Sequence, residues 1–378
     1  MKVSESENNN EKNESNKLNI GNKPHIEKEY KDITISIKKD KSKTYYELKL
    51  NGGVLCSRSY SDFEVFYNSL LRRYPHCVIP KFRERNIIIS EDDESLENRR
   101  KEFEYLINRL YSNETINKEE EFKNFINFPI FDSKYYSNLP KKFNYTECKK
   151  FLKSNSTYFG GIANFIGKGI KYAFNAKNNS SNERENFIMN KTEEYEKKLK
   201  IYKSLVDYSK NLITNTDNEI KFYKNLEKGI NFLSGGQETI NENNPDISSF
   251  EKLSDLTKQY MEKLKKRKVD NLEKIYDRIN FFTLDLEGAL LAIQRYNNFL
   301  DDYNMINNIK KEDNPDIQKE KQKLEVDKIT FEKTLKKDIE KIENEYSDIY
   351  GRSLDKLVSY LQFVNEDGKE VFKFFKWY

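Results

Sequence analysis

The chain has 378 residues; 34% are charged and 36% hydrophobic, yet the net charge is only +4. No stretch approaches the roughly 20 apolar residues of a membrane span, and the polar first residues offer no secretory h-region. Three widely spaced Cys and two His give neither a disulfide framework nor a zinc site, which suggests a reducing, cytoplasmic setting. A chain this polar, with balanced signs and helical periodicity, points to long, half-solvated helices rather than one compact globule. It holds no Ser/His/Asp set, Gly-rich phosphate loop or HExxH motif, so no enzyme is expected and no cofactor or metal is called for.

Residues 1–27 are Asn, Glu, Ser and Lys with almost nothing to bury, and are expected to form a disordered tail. Strict alternation over 32–37 and 47–50 and the Asn51-Gly52-Gly53 turn signal predict strands, followed by a third over 54–60. The period then changes. Ser61 and Glu64 are spaced as a capping box, with Phe63, Phe66, Leu70 and Leu71 at helical spacing behind them. After the Val78-Ile79-Pro80 loop, the spacing predicts a helix over about 95–111, with Leu96, Phe103, Leu106, Ile107 and Leu110 on one face. A short third helix carries Phe122, Phe125 and Ile126. Three strands and then helices over 28–133 make an α+β domain.

Residues 134–154 read as an irregular basic linker. Over 155–177, a helix would place Phe159, Ile162, Phe165, Ile166, Ile170 and Phe174 for insertion into a membrane, with Lys168 and Lys171 as electrostatic contacts. Gly160, Gly161, Gly167 and Gly169 make this segment a poor helix in water, so it is expected to fold on contact with a surface. Residues 185–378 carry three long periodic patterns, over about 185–233, 246–311 and 316–376. The second and third open on the same Asn-Pro-Asp-Ile, at 244–247 and 314–317, which favours helix starts. Helices of 45 to 60 residues span about 70–90 Å, so an elongated antiparallel bundle that needs a second copy is expected. Lys265, Lys266 and Arg267 are candidates for a basic contact with lipid.

Ser59-Tyr60-Ser61-Asp62-Phe63, Val78-Ile79-Pro80 and the Arg99-Arg100 pair before Phe103 strongly resemble a PX domain. The order of this domain, an amphipathic segment and three long helices is similar to a sorting nexin of the PX-BAR type. The resemblance implies a multidomain protein, an α+β PX domain followed by an all-α, three-helix antiparallel BAR bundle. It also implies binding of a phosphoinositide, with phosphatidylinositol 3-phosphate preferred. Tyr60 would stack under the inositol ring, and Arg99 would hold ring hydroxyls through its donor fork. Ser59 stands where the family's phosphate-binding Arg would be. Arg58, one residue earlier, is the candidate replacement if the strand end twists, because side chains alternate along a strand. In the proline loop Arg83 replaces the second proline, and Arg85 occupies the position of the family's Lys.

The function implied is curvature sensing or generation on endosomal membranes, in sorting and retrograde or recycling transport. The implied partners are a phosphoinositide-containing membrane, a second copy or another PX-BAR sorting nexin, and the retromer cargo-recognition complex. The alternative is a coiled-coil scaffold whose PX domain has lost or altered its lipid specificity. Charge is unevenly spread: 141–177 hold eight Lys against Glu147 alone. That basic stretch suits anionic lipid, and a nucleic-acid partner is not expected, since a broad basic face is lacking.

Overall fold

The computed structural model describes residues 33–41, 43–82, 93–140, 183–237, 245–308 and 315–375. Strands β1 (Ile33–Asp40), β2 (Lys43–Leu50) and β3 (Gly53–Ser59) form an antiparallel sheet in that order. Asn51 and Gly52, both at positive φ, make the β2–β3 turn, a conformation Asn and Gly adopt at low steric cost. Helices α1 (Tyr60–Arg73), α2 (Asp93–Tyr111) and α3 (Glu120–Asn127) pack against the sheet, and α4 (Ser133–Asn138) packs on α1. Two parallel ring stacks bind them together, Phe63 on Phe103 and Phe66 on Phe125, each with centroids 3.9 Å apart.

Two local expectations are corrected. The cap of α1 is Ser59, not Ser61: the Ser59 hydroxyl accepts from the Asp62 amide, and the Asp62 carboxylate accepts from the Ser59 amide at 2.8 Å. Asp at the third helical position closes the box as well as Glu does, and Ser59 is where the extended strand ends. The region expected to be irregular from residue 134 instead begins with α4. Asp132 caps it, accepting from the Lys134 and Tyr135 amides. Tyr136 anchors it in the core, its hydroxyl donating to the Glu121 carbonyl at 2.9 Å.

Strand β1 is a sheet edge, and an edge carries unpaired backbone groups. Helix α2 satisfies them with side chains. Asn108 accepts from the Ile33 amide at 2.9 Å and donates to the Ile33 carbonyl at 2.8 Å. Glu104 accepts from the Ile35 amide at 2.8 Å, and Arg100 donates to the Ile35 carbonyl at 3.0 Å.

The rest of the described chain is helical: α5 (Glu183–Gln237), α6 (Pro245–Arg267), a π-helical turn (Lys268–Glu273), α7 (Lys274–Asn307) and α8 (Pro315–Phe375). Helices α6 and α8 both start at the Pro of Asn-Pro-Asp-Ile. The second long pattern is therefore not one uninterrupted α-helix. Buried Leu264 and Leu272 lie eight residues apart, about 2.2 α-helical turns. The wider π turn brings Leu272 back to the buried seam.

Aromatic layers with one ring from each leg of the bundle set its antiparallel register. Tyr202, Phe282 and Tyr346 lie within 5.0–5.6 Å of one another. Further along, Tyr260 lies 5.0 Å from Tyr223 and 6.1 Å from Phe363. Among the described residues no helix is long and apolar enough to cross a membrane.

The α+β unit is docked against the bundle. Helix α2 lies along α7 with every fourth residue in contact. Lys101 pairs with Asp277 at 2.8 Å, Tyr105 stacks on Phe281 at 4.6 Å, and Arg109 meets Asp285 at 2.7 Å. Tyr105 also donates to Asp285 at 2.6 Å. Burial pushes the Asp285 carboxyl up, and Arg109 pulls it back. The loop after α1 is clamped as well. Arg295 donates to the Pro75 and Cys77 carbonyls at 2.9 and 3.1 Å. Asp338 accepts from the Val78 amide, and the Leu284 carbonyl accepts from the Lys81 amide.

Burial raises Asp338 to about 6 despite the Val78 hydrogen bond that opposes the rise. Its folded-state pKa thus lies above its unfolded value, so its contribution to stability falls as pH rises from about 4 through 6. Asp338→Asn keeps the acceptor and removes the charge. Denaturation at a series of pH values should find Asp338→Asn and wild type alike near pH 4, and the variant more stable at pH 7.

Candidate functional site

Tyr60, Arg99, Phe82 and Phe103 come together where β3 passes into α1. The guanidinium carbon of Arg99 lies 5.2 Å from the Tyr60 ring centroid. Behind that ring stand Phe82 at 5.3 Å and Phe103 at 6.1 Å. Tyr60 is the first residue of α1, and the cap at Ser59 fixes its backbone there. Arg99 sits two turns into α2, half-buried, and among the described residues no carboxylate lies within ion-pairing distance of it. The neighbouring Arg100 is occupied by Glu97 and Glu104, both at 2.7 Å. The site thus presents an aromatic face and a fork of donors to one place, a combination suited to a sugar-like ring bearing hydroxyls or phosphate.

Arg58 is elsewhere. It is fully buried on the core side of β3, so its expected role as a lipid ligand is corrected. Its Nε and Nη2 donate to the Phe125 carbonyl at 3.0 and 2.7 Å, Nη2 also to the Phe128 carbonyl, and Nη1 to Ser57. These acceptors include the exposed carbonyl end of α3, which a cation satisfies. The alternation of β3 holds to its last residue, and no twist turns Arg58 outward. Arg85 falls outside the described residues, as do Phe159, Ile162, Phe165, Ile166, Lys168, Ile170, Lys171 and Phe174.

The PX-domain family model matches residues 51–129. Over 79 residues, 21% of this chain, the sequence is 30% identical to the vacuolar protein sorting-associated protein vps5 of Schizosaccharomyces pombe. The alignment spans 14% of that protein's length. The cryo-EM structure of the SNX-BAR Mvp1 tetramer superposes with a TM-score of 0.58 over 90% of this chain and 99% of that one, at 13% identity. That likeness is one of fold. The chain has the PX-BAR architecture.

Within the PX domain, sequence reasoning missed Phe82 as the support of Tyr60. An aromatic in an otherwise basic loop was the available signal. On the BAR bundle, Lys265, Lys266 and Arg267 are exposed in the last turn of α6. Lys265 pairs with Glu262 at 2.6 Å, and Arg267 lies over the Phe363 ring at 5.2 Å. Three successive helical residues point about 100° apart, so they do not share one face.

Removing a buried donor leaves its acceptors unpaired. Arg58→Ala should cost about 3 kcal/mol or more, and Ser59→Ala about 1 kcal/mol through the lost cap. Arg99→Ala should stay within about 0.5 kcal/mol. Chemical denaturation of the full chain measures all three.

Proposed function

We propose that the protein is a peripheral membrane protein of endosomes that reads a phosphoinositide through its PX domain and senses or imposes curvature through its BAR bundle. The observation that carries this reading is the Arg99 guanidinium over the Tyr60 ring, free of carboxylate partners among the described residues. Tyr60 packs against the inositol ring, and Arg99 donates to its oxygens. With Arg58 inside the fold, the phosphate contact falls to Arg85. The preferred lipid is phosphatidylinositol 3-phosphate. The 155–177 segment inserts as a shallow wedge, and Lys168 and Lys171 add attraction to anionic lipid. Weak contacts linked in one chain make each later engagement effectively intramolecular.

Liposome co-sedimentation tests this. Vesicles containing phosphatidylinositol 3-phosphate should retain wild type and release Tyr60→Ala and Arg99→Ala, at least tenfold weaker. Equal binding by all three to every lipid tested would refute the pocket. Deleting 155–177 should abolish tubulation while leaving the oligomer intact.

Self-association is part of the proposal. Ile201, Tyr208 and Phe222 on α5, and Leu354, Val358 and Leu361 on α8, are exposed apolar residues at heptad-like spacing. Large apolar side chains in such rows suit a partner helix. The Mvp1 structure that this fold resembles is a tetramer. We propose a homodimer, or a heterodimer with another PX-BAR sorting nexin, with the retromer complex as a further partner in endosomal sorting. Light scattering at micromolar concentration should give at least twice the monomer mass, and Val358→Glu should reduce it.

A second reading, a scaffold whose PX domain no longer selects a lipid, is favoured by one fact. The position of the family's phosphate-binding Arg is a helix cap, Ser59, and the nearest Arg is structural. The same vesicle panel decides between the two.

A further inference from the structure

We infer that helix α7 of the BAR bundle is a working part of the headgroup pocket, holding Tyr60 in place through the docked loop of residues 75–82. The inference rests on the reading of Tyr60 and Arg99 as the lipid pocket. Gly288 and Phe82 are the positioning residues.

The physical path is continuous. A Cβ on Gly288 would lie 2.2 Å from the Ile79 carbonyl oxygen and 3.1 Å from the Pro80 Cα. Only glycine allows the loop to approach α7 so closely. One helical turn earlier, the Leu284 carbonyl accepts from the Lys81 amide at 2.9 Å. Lys81 also approaches Glu287 at 3.8 Å. The next residue is Phe82, fixed between a Tyr67 ring at 5.3 Å and a Phe103 ring at 5.7 Å. Phe82 in turn stands behind Tyr60, which lies under Arg99. Lifting the loop from α7 therefore withdraws the support of the ring that meets the ligand. The two ends of the path move together because every link is a packed contact or a backbone hydrogen bond. Headgroup affinity then depends on the bundle, although no bundle residue named in this path touches Tyr60 or Arg99.

Titration calorimetry of the full chain with a soluble short-chain phosphatidylinositol 3-phosphate tests the coupling. Gly288→Ala should weaken binding about tenfold. Gly229→Ala and Gly351→Ala add the same methyl where nothing lies within 4 Å, and should leave affinity within twofold. Hydrogen exchange should show residues 75–82 losing protection in Gly288→Ala with the α1–α3 core unchanged. If Gly288→Ala does not fold, Arg295→Met releases the Pro75 and Cys77 carbonyls without crowding the helix and should weaken binding in the same direction. Loss of loop protection with wild-type affinity would overturn the coupling alone. Failure of the unmutated chain to bind would overturn the lipid reading on which it rests.

Discussion

The close approach of the Ile79 carbonyl to the bare backbone of Gly288 is the contact on which the arrangement of the two units depends. It lets a loop of the PX domain lie directly on α7, where the Leu284 carbonyl can take a hydrogen bond from Lys81. Beside it, Asp285 is buried yet met by both Arg109 and Tyr105. An ion pair this deep adds little net stability over an apolar isostere, but is costly to break from one side. It therefore penalises alternative dockings more than it strengthens the right one. The direction of α2 along α7 follows from the Lys101–Asp277, Tyr105–Phe281 and Arg109–Asp285 contacts.

Three arginines that lie close in sequence to Tyr60 and Phe103 have three different fates, each decided by surroundings. Arg58 ends buried on backbone carbonyls at the end of α3. Arg100 is held by Glu97 and Glu104 and repairs the edge of β1. Arg99, between them in sequence, faces the Tyr60 ring instead. Adjacent helical positions differ by about 100°, enough to send Arg100 to the sheet and Arg99 to the pocket. The chemistry available at the site follows from this division: one guanidinium, an aromatic platform and whatever the following loop contributes.

The bundle solves a different problem. Its buried surface is a lengthwise seam of Ile, Leu and Ala side chains punctuated by aromatic layers, with ion pairs such as Lys268–Asp217 along the flanks. Where the apolar spacing slips between Leu264 and Leu272, the backbone yields by forming a π turn and the seam is kept. Exposed rows on α5 and α8 remain outside that seam, which supports pairing with another chain.

By itself the sequence determined the fold class: alternation and turn residues mark the strands, three- and four-residue spacing marks the helices, and Asn-Pro-Asp-Ile marks two helix starts. These signals are local, set by backbone geometry within a few residues. Tyr60, at the start of α1, and Arg99, two turns into α2, were both named from the sequence motif, and the fold brings them together. What the tertiary structure alone decided is how side chains with identical chemistry are used. Arg58 looked available until the end of α3 was seen to need a cation, and Ser59 looked like a lost ligand until it proved to be the cap. The roles of Gly288, Asp285 and Phe82 arise from contacts between residues up to about two hundred positions apart. No local pattern encodes such contacts, because burial and hydrogen-bond demand at one position are set by what the rest of the chain brings to it.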